Sequence, residues 1–327
     1  MRRFDRAEAL ALAEAACLGA GASEAAARSL AEATVSAELR GKSAVGFRHL
    51  LDYLEGFEAG RIVGDAVPAL AYPAPTMIQC DAGGGVAQLG FDLAFAELVA
   101  RAGALGVAIF SQRNSFTAGE LGHYVRRLAE AGLVAIAATN GPALMAVPGG
   151  KTPVYCTNPL AFAAPVANGP PLVIDQASGA TAYVTVRERA ERGESLPPGW
   201  AIDARGEPTT DAAAALRGAL LAFGGARGAN IALMVEVLAA GLTGANWSLD
   251  APGFDAGARS PGAGLFVLAI APRLLATDFG ERLEEQCARL ERAGVYVPGR
   301  NGGAARVELP DGLVDALDFY AARAPRR

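Results

Sequence analysis

Apolar and polar positions recur along this chain in two rhythms. From residue 4 to about 58 the apolar positions return at helical spacing, which predicts two or three N-terminal helices. Short apolar runs then alternate with helical stretches. "TMIQCDA" reads as a strand, "GFDLAFAELVARAGALG" as a helix, "VAIFSQ" as a strand, "AGELGHYVRRLAEAG" as a helix and "LVAIAATN" as a strand. The middle continues with the β-like segments "LAFAAP" and "PLVIDQA", a helical "TAYVTVRERAERG" and a turn-rich stretch around "LPPGWAIDARGEPTTD". Past it, "FVLAIAP" predicts a buried strand, "DFGERLEEQCARLERAG" an amphipathic helix and "DGLVDALDFYAARA" a terminal helix. The pattern predicts an α/β protein. Its helical N-terminal region, 1–70, is expected to pack with a C-terminal helix, 305–327, beside an α/β core, 71–304, with an inserted lobe at about 140–225.

Composition narrows the class. At 327 residues, 52% hydrophobic and 19% charged, the chain can bury a large core. The apolar run "ANIALMVEVLAAGLTG" (229–244) falls short of the roughly eighteen residues a membrane span needs and carries Glu236. Within that helix Glu236 reads as a hydrogen-bonded interface carboxylate more readily than as a functional one. The first residues form an amphipathic helix interrupted by Asp5, Glu8 and Glu14, unlike a cleaved signal, so the expected location is the cytoplasm. Cys17, Cys80, Cys156 and Cys287 lie far apart with no CxxC pair, and the two histidines lack metal-ligand spacing, so no metal site is expected. A formal charge of −5 with dispersed arginines argues against nucleic acid and for a small-molecule partner.

Neither "GAGAS" (19–23) nor "GGG" (83–85) fits a dinucleotide fingerprint, and "RGKS" lacks the upstream glycine of a phosphate loop. "FGGARGANIALMVEVL" puts a glycine-dense turn with Arg227 at the start of an apolar helix. That suits an anion at a helix N-terminus, and equally a plain surface connection. In "SAVGFRHLLDY", Phe47, Leu50, Leu51 and Leu54 share one helical face and His49 lies round the other side. His49 therefore belongs either to a solvated face near Arg48 and Asp52 or to a cleft. His123, in "GELGHYV", reads as a structural interhelical residue or as an acid.

Four co-linear segments, "CTNPLAFAAP" (156–165), "PLVIDQAS" (171–178), "LPPGWAIDARGEPTTD" (196–211) and "FGGARG" (223–228), together resemble the malate/L-lactate dehydrogenase superfamily that is unrelated to the Rossmann lactate dehydrogenases. The resemblance implies a sulfolactate dehydrogenase-like α/β fold with a noncanonical NAD(P)-binding core, NADPH or NADH as cofactor, a homodimer, and a small 2-oxo or 2-imino carboxylate as substrate. It also implies cofactor contacts from Thr117, Ala118, Gly119, Glu120 and Leu121, from Asn140, from Asp175, Gln176 and Ala177, from Arg227 in place of a lysine, and from Pro298, Gly299 and Arg300, where Arg300 replaces a glutamate. Thr157 matches a substrate-contacting threonine.

The family's helix start, Ser-His-Gly followed three residues later by arginine, is altered. Alignment on Gly46 and the later "EAGRI" puts Ala44 and Val45 at the serine and histidine positions and His49 at the arginine; alignment on Ser43 keeps Ser43 and matches Arg48 to the arginine. Either register removes the proton-donating histidine. The acidic partner of that histidine falls on Thr185 and a second family histidine on Thr117. Ser43, Arg48, His49 and Thr157 remain the catalytic candidates. A ketone needs an acid to protonate the developing alkoxide, whereas a protonated imine brings its own proton, so the loss favours reduction of a cyclic 2-imino carboxylate with His49 holding the carboxylate. A 2-oxo acid dehydrogenase with a substituted donor and a noncatalytic dinucleotide-binding relative are the alternatives.

Overall fold

The computed structural model describes residues 1–300 and 302–323. The chain begins with β1 (Arg2–Phe4) and the helices α1 (Arg6–Gly19), α2 (Glu24–Leu39) and α3 (Phe47–Glu58). Next come β2 (Ala69–Ala74), β3 (Met77–Asp81), α4 (Ala87–Leu105), β4 (Val107–Ser115), α5 (Leu121–Glu130) and β5 (Val134–Thr139). The middle holds β6 (Met145–Ala146), β7 (Leu160–Ala164), β8 (Leu172–Gln176), α6 (Tyr183–Glu191), β9 (Ala201–Ile202), β10 (Pro208–Thr209), α7 (Ala212–Leu216) and β11 (Ala219–Leu221). Then follow α8 (Ala226–Glu236), which runs into a π-helical turn (Val237–Gly241), β12 (Ala263–Ile270), α9 (Phe279–Arg292), β13 (Val307–Leu309) and α10 (Asp311–Ala321).

Among the described residues a seven-stranded sheet runs in the order β2-β3-β4-β12-β5-β7-β8. Only β3 and β4 pair in parallel, joined by α4 as the crossover; every other neighbour is antiparallel. The helix-strand alternation of the sequence thus yields a largely antiparallel sheet, because β2–β3 and β7–β8 turn back through short connections and β12 inserts between β4 and β5 running against both. On one face α4 and α5 bury Phe91, Leu98, Leu121, Tyr124 and Leu128 against Ile78, Phe110 and Val267. On the other, α8 and its π-helical turn lay Val235 and Ala239 against Ala138 and Phe266. Such a sheet, covered on both faces, explains why β12 reads as a continuous apolar run rather than an alternating one.

The N-terminal helices form their own cluster. Asp5 and Glu8 make a capping box at the start of α1, and Ser23 caps α2. Phe47, Leu50 and Leu54 of α3 pack with Leu30 and Val35 of α2 and with Val314 and Leu317 of α10, while β1 pairs with β13. Residues 324–327 of the expected C-terminal helix lie outside the described residues. The stretch 140–225 does not form one lobe. Strands β7 and β8 return to the main sheet, and the remaining segments build a four-stranded sheet, β10-β9-β11-β6, over which α6 and α7 bury Val186, Ala212 and Ala215.

Glu236 is buried at the end of α8, where its carboxylate accepts from Asn158 Nδ2 at 2.7 Å, from Ser248 N at 2.6 Å and from Ser248 Oγ at 2.8 Å. Buried donors need such an acceptor, which is why an ionisable residue interrupts this apolar helix. All four cysteines are buried free thiols. No helix among the described residues is long and apolar enough to cross a membrane.

His123 lies buried in α5, its Nε2 3.5 Å from Arg127 Nη1. Burial, with Arg127 and Arg126 adding to it, pushes this imidazole down from 6.5 to about 3. Between those values the unfolded chain binds a proton that the folded chain refuses, so the fold loses stability as pH falls through the window. Replacing His123 by Gln should flatten the limb of the urea-midpoint profile between pH 6.5 and 3, where one extra proton on the unfolded chain changes stability by ~1.4 kcal/mol for each pH unit. An unaltered limb would mean that the imidazole is not the group being charged.

Candidate active site

Helix α3 starts where it does because of position 46. A β-carbon there would displace the Glu38 carboxylate, which accepts from Phe47 N at 3.0 Å and caps the helix, so glycine leaves room for the cap. The short 3-10 turn Ser43–Val45 precedes it. Val45 and His49, one helical turn apart, both face a cavity of about 470 Å³. Of the two registers, the one aligned on Gly46 describes which side chains reach the cavity. Ser43 is exposed outside it, and Arg48 turns away to pair with Glu188 of α6 at 3.0 Å.

His49 Nδ1 lies 2.7 Å from Asp52 Oδ2, its neighbour at i+3, and the ring stands edge-on to Tyr53 with centroids 5.0 Å apart. Asp52 is shared: its Oδ1 accepts from Arg187 Nη1 at 3.1 Å, across from α6. Burial pushes the Asp52 carboxyl up, but the hydrogen bonds and charges of His49 and Arg187 outweigh it and hold the group below its ordinary value. Tyr53 fixes the opposite wall. Its hydroxyl donates to Thr117 O at 3.0 Å and accepts from Gln88 Nε2 at 3.0 Å, while Gln88 also donates to Ala118 O. Helix α3 is thereby tied to the turn that follows β4.

Thr157 enters the cavity from the segment before β7. Asn158, buried at φ +35, donates to Glu236 Oε2, and Cys156 N donates to Ser248 Oγ, which itself donates to Glu236. The carboxylate of α8 therefore sets the backbone on both sides of Thr157. Asn140 also lines the cavity, but its amide is engaged in the fold, donating to Asn246 O at 2.8 Å and accepting from Gly264 N at 3.0 Å. Arg61 and Asp255 complete the charged lining, and Arg61 Nε is buried with no partner among the described residues.

A second cavity, of about 680 Å³, opens beyond the Thr117–Leu121 turn. Lys42, Asp175, Gln176, Pro298 and Gly299 line it. Lys42 Nζ is 3.4 Å from Asp175 O. Asp175 accepts from Gly122 N at 3.0 Å, so it closes the first turn of α5; burial pushes its carboxyl up. Glu120 reaches this cavity fully buried and paired with Arg126 at 2.7 Å, an internal brace between α5 and α2 through Ser36.

The expected site residues thus divide. His49, Thr157, Thr117, Gly119 and Asn140 meet in the first cavity; Glu120, Asp175, Gln176, Pro298 and Gly299 meet in the second. Ala118 and Leu121 are buried between them. Ala177 lines neither, Arg227 sits exposed in the first turn of α8, and Arg300 Nε pairs with Glu291 at 3.4 Å. The sequence reading missed Arg187, Arg61, Lys42 and the role of Asp52. Only Asp52 left a signal, three residues after His49 on one helix face.

Two cavities lie on either side of the Thr117–Leu121 turn, one lined by His49, Arg187 and Thr157 and the other edged by Lys42, so each sets cationic or donor side chains on a concave surface. Residues 4–310 match the malate/L-lactate dehydrogenase family model. The chain is 39% identical over 270 residues to a Δ1-pyrroline-2-carboxylate/Δ1-piperideine-2-carboxylate reductase of Pseudomonas aeruginosa, covering 82% of this chain and 80% of that protein. It is 38% identical over 322 residues to a (2R)-3-sulfolactate dehydrogenase (NADP+) of Chromohalobacter salexigens, covering 96% of each. The crystal structure of Δ1-piperideine-2-carboxylate reductase from Pseudomonas syringae superposes with a TM-score of 0.91 at 32% identity, covering 98% of this chain and 100% of that one. The chain belongs to the malate/L-lactate dehydrogenase family, and it is an oxidoreductase.

Proposed function

We propose that the protein reduces small cyclic 2-imino carboxylates of the Δ1-pyrroline-2-carboxylate and Δ1-piperideine-2-carboxylate type, with NADPH or NADH as reductant. The observation that carries this reading is the likeness, in sequence and in fold over nearly the whole chain, to reductases of that substrate class. The cavity suits such a substrate. Arg187, Arg61 and His49 offer cationic or donor groups for a carboxylate, and Val45, Phe116 and Phe254 offer an apolar wall for a saturated ring.

A reduced nicotinamide supplies the hydride when the cofactor is bound. Thr117 and Gly119 would hold its reactive end beside Thr157, and the Lys42–Gln176–Pro298 cavity would take the rest. Lys42 supports that fit, since it sets an exposed cation on the cavity lining that a pyrophosphate would meet with its charge. A 2-oxo acid is the second reading, favoured by the sulfolactate dehydrogenase that matches over 96% of each chain.

The same reading makes the enzyme a cytoplasmic homodimer. Its four unpaired thiols suit a reducing compartment, and Leu233, Met234, Val237, Leu242, Trp247 and Leu249 leave an apolar face exposed on and after α8 that a second copy would cover. A monomer mass in sedimentation would exclude that assembly.

The deciding experiment is a spectrophotometric panel in which NADH and NADPH are each followed at saturating five- and six-membered cyclic imines and open-chain 2-oxo acids. The expected outcome is cofactor oxidation with the imines at the highest kcat/KM. No oxidation with any member of the panel would sink the reductase reading.

A further inference from the structure

The sequence suggests a site without proton machinery. The geometry around His49 points elsewhere. Asp52 occupies Nδ1 of the imidazole at 2.7 Å, so Nε2 is the ring nitrogen left for a ligand in the cavity that His49 shares with Thr157. A carboxylate on one imidazole nitrogen does two things. It fixes the tautomer with the proton on Nδ1, and it stabilises the imidazolium whose Nε2–H can be donated. Asp52 is itself restrained, since Arg187 donates to it from a different layer of the molecule and Tyr53 packs edge-on against the histidine ring. Held ionised by these partners, Asp52 is the acceptor that such a pair needs.

We infer that His49, oriented by Asp52, is the general acid of this active site, and that the enzyme therefore reduces open-chain 2-oxo carboxylates as well as cyclic 2-imino carboxylates. The inference rests on the reductase reading above and widens its substrate class. In reduction of a 2-oxo acid the carbonyl carbon gains a hydride from the reduced nicotinamide, the C=O π pair moves onto oxygen, and Nε2–H of His49 gives that oxygen its proton. The product is a 2-hydroxy carboxylate, the cofactor leaves oxidised, and the imidazole regains a proton from water. A protonated cyclic imine gains the same hydride, its C=N π pair becomes the lone pair of the amine, and no proton from the enzyme is required. Arg187 and Arg61 then remain to face the carboxylate, which releases His49 from that task.

The charged and titratable groups around the imidazole are Asp52 and Glu55 on its own helix, Arg61 just beyond it, Tyr183 and Arg187 on α6, and Asp255 on the 253–255 loop. They come from four segments of the chain, so the charge environment of the imidazole belongs to the cluster as a whole.

The test uses the full-length protein and its His49→Gln and Asp52→Asn variants. Parent enzyme should turn over both substrate classes. His49→Gln should lose a factor of about 10² to 10⁴ in kcat on the 2-oxo acid, the usual worth of a general acid, while kcat on the cyclic imine falls tenfold at most. An independent readout needs no turnover. The chain has only two histidines, so ¹⁵N imidazole spectra, assigned with His123→Gln, report the His49 tautomer directly; the neutral ring should carry its proton on Nδ1 in the parent and lose that preference in Asp52→Asn. Imine reduction without 2-oxo acid reduction, equal losses on both substrates in His49→Gln, or a His49 proton on Nε2 when neutral would each overturn the inference. If neither substrate class is reduced at all, the reductase reading falls, and the tautomer alone decides the His49–Asp52 pair.

Discussion

The active site depends on one carboxylate that serves two layers of the protein at once. Asp52 grows from a helix of the N-terminal bundle, while Arg187 belongs to a helix packed on the small sheet, and their contact spans 135 residues of sequence. Arg48 and Glu188 repeat the crossing one face round, away from the cavity, so α3 and α6 are joined by two ion pairs. Even exposed, single pairs contribute only about 0 to 1 kcal/mol, and these half-buried ones also carry a desolvation cost. Their value here is geometric. A cavity wall made from two different packing clusters needs a directional contact to set its width, and a carboxylate held between an imidazole and a guanidinium supplies direction that apolar packing does not.

The other walls are set by the same means. Tyr53 and Gln88 bind the Thr117–Ala118 backbone to α3, and Glu236 binds the backbone on both sides of Thr157 to α8. Each network is buried, and each uses a polar group that would be costly there without its partners. The Thr117–Ala118 turn, Thr157 and His49 come from three distant parts of the chain, yet each is tied down by hydrogen bonds to or beside it. That arrangement suits hydride transfer, where small errors in the approach of donor and acceptor are expensive.

The sequence foretold much of this frame. Apolar periodicity located α4, β4, α5, β5 and β12, and Glu236 read correctly as a hydrogen-bonded interface carboxylate because an ionisable group in an apolar helix has few other uses. Two choices lay beyond it. The register of residues 43–49 turned on Gly46, which leaves room for the Glu38 carboxylate that caps α3 from the preceding helix, a contact that no local pattern encodes. Arg187 was invisible for a related reason: its partner is on another layer, and its own helix shows only a mixed charged surface. The reading of 140–225 as one lobe failed because β7 and β8 are short apolar strands that look alike in either sheet. Asp175 was expected as a cofactor contact, and the structure gives its side chain a second occupation at the start of α5.

Where the family's histidine gives way to Val45, His49 faces the same cavity one helical turn further on, with Asp52 on its Nδ1. The most direct test is a crystal structure with oxidised NADP and pyrrole-2-carboxylate, a flat analogue of the five-membered imino acid. The account predicts the analogue ring nitrogen within hydrogen-bond reach of His49 Nε2, with Asp52 still on Nδ1 and the carboxylate turned toward Arg187 or Arg61. An analogue carboxylate bound directly to His49, with the imidazole swung off Asp52, would contradict it.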